Sequence, residues 1–408
     1  MKLATILGAL SMGAAITAMA VTNKPNEIRC HPEPHSFNFT NALKYPSPPP
    51  EAQLTTGNQS KKDLDMPRMV PYPDSNNFEW WYFHAFNPAN VKESIAITFV
   101  VGSNMTTPTE YTNPGIVSNF VLLSYNTAKG EQNSVVLTPE PGNAGQATVV
   151  SFDGCAISTE GDWSGTGARF FNAEGSIGSS PKQFTVEINA PRHSIHGRLF
   201  FNATAPPHLP CTADIYASNQ TLQALSNIGY TNALPDASVN TDFTFNSRSA
   251  SRHLSFRGAG YHDHVWGDLP FRQSVRTMFT GHIRAGPYAI VWRYSTSIEK
   301  ELFASGYVAK DGVITYVDCI ETSEEKGVKA AIHVETDEAS MSVQFLLDDG
   351  KVIKLAAKKS NRVQGVKGQT GEEMWTGDVE VLFGDAGVVG GEERVNGTGL
   401  FWEFRLHN

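Results

Sequence analysis

Phe78-Glu79-Trp80-Trp81-Tyr82-Phe83-His84 carries aromatic rings, imidazole included, at six of its seven positions. Read as a strand, it sends Glu79, Trp81 and Phe83 to one face and Phe78, Trp80, Tyr82 and His84 to the other. Both faces must then be covered, which makes this a central strand with a hydrophobic core on each side. Glu79 does not fit that description alone. A carboxylate in such surroundings must be paired, hydrogen-bonded or neutral, so Glu79 is either a polar group at a pocket wall or half of a structural salt bridge.

Outward from this run, short strand signals continue. Ile95, Ile97 and Phe99 alternate with Ala96 and Thr98, and Phe184, Val186 and Ile188 alternate with Thr185 and Glu187, the period of half-buried strands. Lys310-Asp311-Gly312 and Asp348-Asp349-Gly350 each sit between two apolar runs and predict hairpins. Only Thr221 to Ile228 invites a short helix. Many close strands without helical periods imply an all-β chain of sandwiches or up-and-down barrels. One small barrel uses about 150 residues, so two lipocalin-like domains in tandem are expected, over 69–250 and 251–408, with the joint near Asn246 to His253. Residues 21–68, rich in Pro and Asn and without a sustained period, predict an extended arm lying over the surface.

Gly258-Ala259-Gly260-Tyr261-His262-Asp263-His264-Val265-Trp266-Gly267-Asp268 is the second unusual stretch. On a strand His262 and His264 share a face, as two metal ligands would. No third ligand follows at a recognisable spacing, so the expectation is a hydrogen-bonded cluster at a barrel mouth and no metal. The chain also lacks a Gly-x-Ser-x-Gly elbow, a phosphate-binding glycine loop, His-Glu-x-x-His and Cys-x-x-Cys.

Glu79 to Phe83, Gly260 to Gly267, and then Gly281-His282, Gly286-Pro287-Tyr288 and Trp292 together resemble the carotenoid 1,2-hydratase/AttH-like superfamily, which includes fungal lipocalin-like Diels-Alderases of secondary metabolism. The resemblance runs from about Met69 to the C-terminus. It implies two calycin-type β-barrels, a pocket in or between them, and no cofactor for the cyclase members; the expected partner is a small apolar polyketide or terpenoid substrate, with no cofactor. Members hydrate an isolated double bond or perform Diels-Alder and hetero-Diels-Alder cycloadditions, some through a quinone methide. Cycloaddition moves no net proton and profits from an apolar pocket that fixes one reactive arrangement. Trp80, Tyr82, His84, Trp266, Trp292 and Trp402 are the candidate walls, and His264, His282 and Arg284 the candidate donors. Hydration or dehydration would need an acid, for which Asp263 and Glu79 are the candidates. A secreted lipid or pigment carrier without catalysis is the rival from another class.

The net charge of -9, without a Lys/Arg cluster, argues against nucleic-acid or anionic-membrane partners. Lys2, the apolar stretch Leu3 to Ala18 and the Ala18-Met19-Ala20 site predict a cleaved signal peptide over 1–20, rather than a membrane anchor, and a secreted chain. Sequons at Asn38, Asn58, Asn104, Asn202, Asn219 and Asn396 predict N-glycosylation. Cys30, Cys155, Cys211 and Cys319 permit two disulfides in any of three pairings, or buried free thiols.

Overall fold

The computed structural model describes residues 33–40, 53–54, 64–70, 78–102, 119–139, 146–153, 158–172, 182–215, 222–246, 251–323, 332–347, 350–365, 371–385 and 393–406. The signal-peptide site, Cys30, Cys155 and the sequons at Asn58, Asn104 and Asn219 lie outside these residues. Two large antiparallel sheets dominate, one of 13 strands and one of 10. The first runs Glu33–Thr40, Gln146–Asp153, Ser158–Trp163, Ala168–Asn172, Gln183–Ala190, Ile195–Ala203, Ile228–Asn246, Ser251–Gly267, Phe78–Phe86, Ser94–Gly102, Asn119–Asn126, Gln132–Leu137, with Gln223–Leu225 beside Ile228–Asn246. The second runs Val313–Ser323, Glu301–Lys310, Tyr288–Ser297, Val275–Ala285, Glu393–Arg405, Glu372–Asp385, Lys351–Lys358, Ser340–Leu346, Ile332–Thr336, with Asn361–Gln364 beside Glu372–Asp385. The chain is thus all-β with two barrel-like sheets in tandem.

Three cores explain why so many strands are apolar on both faces. One fills the first sheet, where Trp81, Phe83 and Phe99 meet Trp163 and Phe170. Trp163 lies far from Trp81 in strand order, yet their rings are 5.5 Å apart, and its Nε1–H donates to the Val100 carbonyl at 2.9 Å. That contact curls the sheet upon itself. A second core, with Ile290, Trp292, Phe345 and Phe401, fills the other sheet. The third lies between the sheets and takes Phe78, Trp80, Tyr82 and Phe86 together with Tyr261, Val265, Met374 and Phe404. The Ser94–Gly102 strand, expected half-buried, is covered on both sides for this reason: Ile95, Ile97 and Phe99 enter the first core, Ala96 and Val100 the inter-sheet core.

Several local expectations are met. Lys310 pairs with Val313 across Asp311 (φ 50°) and Gly312 (φ 76°), the left-handed pair that a two-residue hairpin demands. Leu346 likewise pairs with Val352 around Gly350.

Others need correction. Glu33–Thr40 is a strand paired with Gln146–Asp153, and Leu64, Asp65, Met66 and Arg68 are buried, so these parts of the 21–68 segment are not an arm over the surface. Within Thr221 to Ile228, Gln223–Leu225 is a strand that turns into the next, not a helix. Residues 246–253 mark a hairpin inside the first sheet, because Ser251–Gly267 pairs with Ile228–Asn246 on one side and Phe78–Phe86 on the other. The sheets change over after Gly267, through the short helix Phe271–Ser274.

Cys211, beyond the Ile195–Ala203 strand of the first sheet, is disulfide-bonded to Cys319 on the edge strand of the second, 108 residues away. Closing so long a loop removes much unfolded-chain entropy. The double variant Cys211→Ser, Cys319→Ser is expected to lose about 2–4 kcal/mol in urea unfolding. An unchanged midpoint would show that the sheets hold together without it.

Candidate functional site

The two singled-out motifs lie side by side. Trp81 pairs with His264, Phe83 with His262 and Tyr82 with Asp263 in the antiparallel ladder between Phe78–Phe86 and Ser251–Gly267. The pleat then sorts their side chains into two separate clusters.

The cluster facing the first core is closed. His264 stacks on Trp81 at 4.6 Å and His262 on Phe83 at 3.9 Å. His264 Nε2 lies 2.7 Å from Glu79 Oε1 and its Nδ1 3.1 Å from the Leu64 carbonyl. His262 Nε2 lies 2.8 Å from Asp65 Oδ1 and its Nδ1 3.0 Å from the Tyr82 carbonyl. Each imidazole faces two acceptors, so each pair is an imidazolium with a carboxylate, or a neutral ring with a carboxylic acid. The Arg68 N–H donates to Glu79 Oε1 at 2.6 Å, and the Arg68 guanidinium lies over Trp266 at 5.8 Å. These bonds pin residues 64–68 inside the sheet. Glu79 is therefore a structural pair, and His264 and Trp266, expected at the site, are core groups. Trp266 fills space above Gly229, where any Cβ would collide with its indole. Among the described residues, no group of three or more His, Cys, Asp or Glu side chains is arranged to hold a metal.

The other face opens on a slot between the sheets. Trp80, Tyr82, Thr98, Val100, Phe120 and Leu122 supply one wall; Gln364, Glu372, Met374 and Trp402 supply the other. Its empty space is about 440 Å³. Trp80 and Trp402 stand edge to face at 6.5 Å. Among the described residues Trp402 Nε1 is a buried donor without a hydrogen-bond partner. The Gln364 side-chain amide donates to Glu372 Oε1 at 2.7 Å. Burial, then Asp263 and then Glu372 hold the Tyr82 phenol well above its ordinary pKa, so it stays protonated.

Of the expected residues, then, Trp80, Tyr82 and Trp402 line the slot. Trp292 does not, because its side of the strand turns into the second core, where it covers Gly281. Asp263 lies behind the slot. It accepts the Tyr261 hydroxyl at 2.8 Å, and its pKa is raised by burial, against the pull of Arg293, Tyr261, His262 and His264. His84, His282 and Arg284 join behind Tyr82 through a residue not anticipated, Asp236. His282 Nε2 lies 2.9 Å and Arg284 Nη2 2.6 Å from the Asp236 carboxylate, and His84 Nε2 lies 3.0 Å from His282 Nδ1. Burial pulls Asp236 upward, but the His282 hydrogen bond and charge and the Arg284 guanidinium outweigh it and hold the carboxyl below its ordinary range. Burial lowers both histidines, and each is further lowered by a neighbour, His84 by His282 and His282 by Arg284, although Asp236 pulls His282 the other way. Register slips on both sides of Leu234 free Asp236 from the regular ladder. A carboxylate between the apolar run Ala233-Leu234-Pro235 and Ala237 was the available signal.

A Diels-Alderase-like family model matches residues 52–328. The chain belongs to the Diels-Alderase-like family. Among curated relatives it is 27% identical over 256 residues to the quinolone epoxide rearrangement protein asqO of Emericella nidulans, covering 63% of this chain and 64% of that protein. It is 29% identical over 259 residues to the quinolone epoxide rearrangement protein penF of Penicillium thymicola, covering 63% and 66%. The chain thus matches just under two thirds of the length of either. The crystal structure of CghA with Sch210972 superposes with a TM-score of 0.67 at 15% identity, covering 91% of this chain and 98% of that one. At that identity the likeness shows the fold, two barrel-like domains in tandem.

Burial holds His84, His208 and His282 below the ordinary histidine range, and they are expected to make the protein acid-sensitive. Burial pushes His208 down to about 4, against its Nδ1 bond to the Leu209 carbonyl. An unfolded histidine takes up its proton near pH 6.5, so between there and pH 4 the unfolded state binds a proton that the folded state refuses. Stability is full above that range and falls with pH, by roughly 3 kcal/mol for His208, with His84 and His282 acting in the same direction. Urea unfolding at pH 7.5 and pH 5 should show about 2 kcal/mol of that loss, and His208→Gln should reduce it. Equal stability at both pH values would mean that these rings charge without penalty.

Proposed function

We propose that the protein is a cofactor-independent enzyme of secondary metabolism, a stereoselective cyclase that performs a Diels-Alder or hetero-Diels-Alder cycloaddition on a small apolar polyketide or terpenoid intermediate held in the inter-sheet slot. One observation carries the reading: a narrow aromatic slot whose walls come from both sheets and whose polar contacts are few and directional. Trp80, Phe120 and Trp402 restrict a flexible polyene to few poses, and such orientation is worth about 7–11 kcal/mol. The Trp402 N–H would polarise a carbonyl, and the Tyr82 hydroxyl would meet a second oxygen. Membership of the Diels-Alderase-like family supports the reaction class. Two relatives named for the rearrangement of a quinolone epoxide support a small-molecule substrate. Secretion and N-glycosylation belong to the same proposal; Asn396 is exposed and open to modification.

Incubation with conjugated polyenes bearing an activated dienophile tests this. A single stereoisomer should form faster than the spontaneous mixture. Recovery of unchanged but bound polyene would identify a carrier instead.

A further inference from the structure

We propose that Tyr82, His84, His282 and Asp236 form a proton relay that carries a substrate hydroxyl proton out of the slot, which makes a phenol or enol the substrate class of this site. The proposal rests on the slot being the substrate site. The relay is continuous: Tyr82 Oη lies 3.2 Å from His84 Nδ1, His84 Nε2 3.0 Å from His282 Nδ1, and His282 Nε2 2.9 Å from Asp236 Oδ1. Tyr82 opens it in the slot. Asp236 closes it at a polar cleft of about 510 Å³ that also holds Thr204, Arg284 and Asp311. All four members are at most 8% exposed, so the path between the two cavities is shielded from water.

Hydrogen-bond logic fixes the direction. An ionised Asp236 only accepts, so His282 donates from Nε2, and the neutral ring accepts at Nδ1. His84 must then donate from Nε2 and accept at Nδ1, which leaves the Tyr82 hydroxyl as donor into the relay. A nitrogen acceptor outcompetes the Met374 sulfur, 3.4 Å from the same hydroxyl. The lone pairs of Tyr82 are thereby left to receive a proton from a ligand.

The step balances without a co-reactant. A substrate O–H proton passes to Tyr82 Oη as the phenolic proton passes to His84 Nδ1, and the His84 Nε2 proton passes to His282 Nδ1. The substrate becomes a phenolate or enolate, an electron-rich diene. His282 becomes an imidazolium facing the Asp236 carboxylate, the arrangement by which a buried acid supports a charged histidine. Reversal after ring closure returns the proton, so none is consumed. Other titratable or charged groups face the relay: Tyr261 stacks on His84 at 5.0 Å and His282 at 5.5 Å, Asp263 and Glu372 bear on Tyr82, Arg284 on His282, and Asp236 on Tyr307. Tyr82 is the catalytic residue, and His84, His282 and Asp236 are positioning residues.

Two measurements test this on the full chain. In long-range proton–nitrogen NMR of protein labelled with nitrogen-15 histidine, both His84 and His282 should be neutral and protonated at Nε2. Asp236→Asn and His282→Gln should each shift the His84 nitrogens, although Asp236 does not touch His84. An Nδ1-protonated His84, or one indifferent to both variants, would overturn the relay. With 2-naphthol as the probe, wild type and both variants should bind alike, while the ionised fraction of bound naphthol at pH 7.5 falls about tenfold in each folded variant. Equal ionisation would also overturn it. If naphthol binds none of the proteins, the slot reading fails, and the histidine spectra alone decide the relay.

Discussion

Replacing Glu79 by Ala is expected to cost about 3–5 kcal/mol of stability, the range for breaking a buried pair from one side. Glu79 and His264 are wholly buried, and the same carboxylate oxygen receives the Arg68 N–H and faces His264 Nε2. Removing it takes a shared partner from the Arg68 N–H and from His264 Nε2 in the core. It also releases residues 64–68, whose Leu64 carbonyl accepts from Thr231 and faces His264 Nδ1, and whose Asp65 carbonyl accepts the Trp81 indole N–H. Glu79→Gln retains an acceptor at that point and should lose much less. Urea titration of both variants checks this. A loss under about 1 kcal/mol for Glu79→Ala would mean that water replaces the carboxylate, and Glu79 would return as a candidate catalytic acid.

The largest expected effect on activity separates polarity from shape in the slot. Tyr82→Phe keeps the ring and removes one hydroxyl, so the rate should fall by roughly a hundredfold while the product keeps its stereochemistry. Trp402→Ala removes a wall, admits unproductive poses, and should lower rate and stereoselectivity together. Trp402 is partly exposed, so it is a gentler truncation than a fully buried Trp, which costs about 3–5 kcal/mol. Chiral chromatography of products made at matched folded fractions checks both. Full selectivity in Trp402→Ala would place orientation elsewhere.

Much of this was legible in the sequence, and the limits are physical. Period-two alternation, the Asp311-Gly312 turn and the two-faced aromatic strand all depend on nearby residues, and each appears in the structure. The face assignment within Phe78 to His84 also holds: Trp80 and Tyr82 look toward the second sheet, Trp81 and Phe83 into the first core. Which face carries the slot was not legible. His264 and Trp266 look as reactive as Tyr82 in sequence, and only the strand register turns them inward. Asp236 gave little local warning, because its partners are 46 and 48 residues distant. The Asp65 and Arg68 partners of the histidine motif sit in a stretch whose Pro-rich surroundings suggested exposure. Trp292 was chosen for its residue type, but its strand turns it away from the slot.

The most direct test of the central claim is a crystal structure of the protein soaked with a cycloadduct that it has itself released. The inter-sheet account predicts ligand density between Trp80 and Trp402, with one ligand oxygen within hydrogen-bond distance of Tyr82 Oη. Density inside the first barrel beside His264, or in the polar cleft at Arg284 with the slot unchanged, would contradict it.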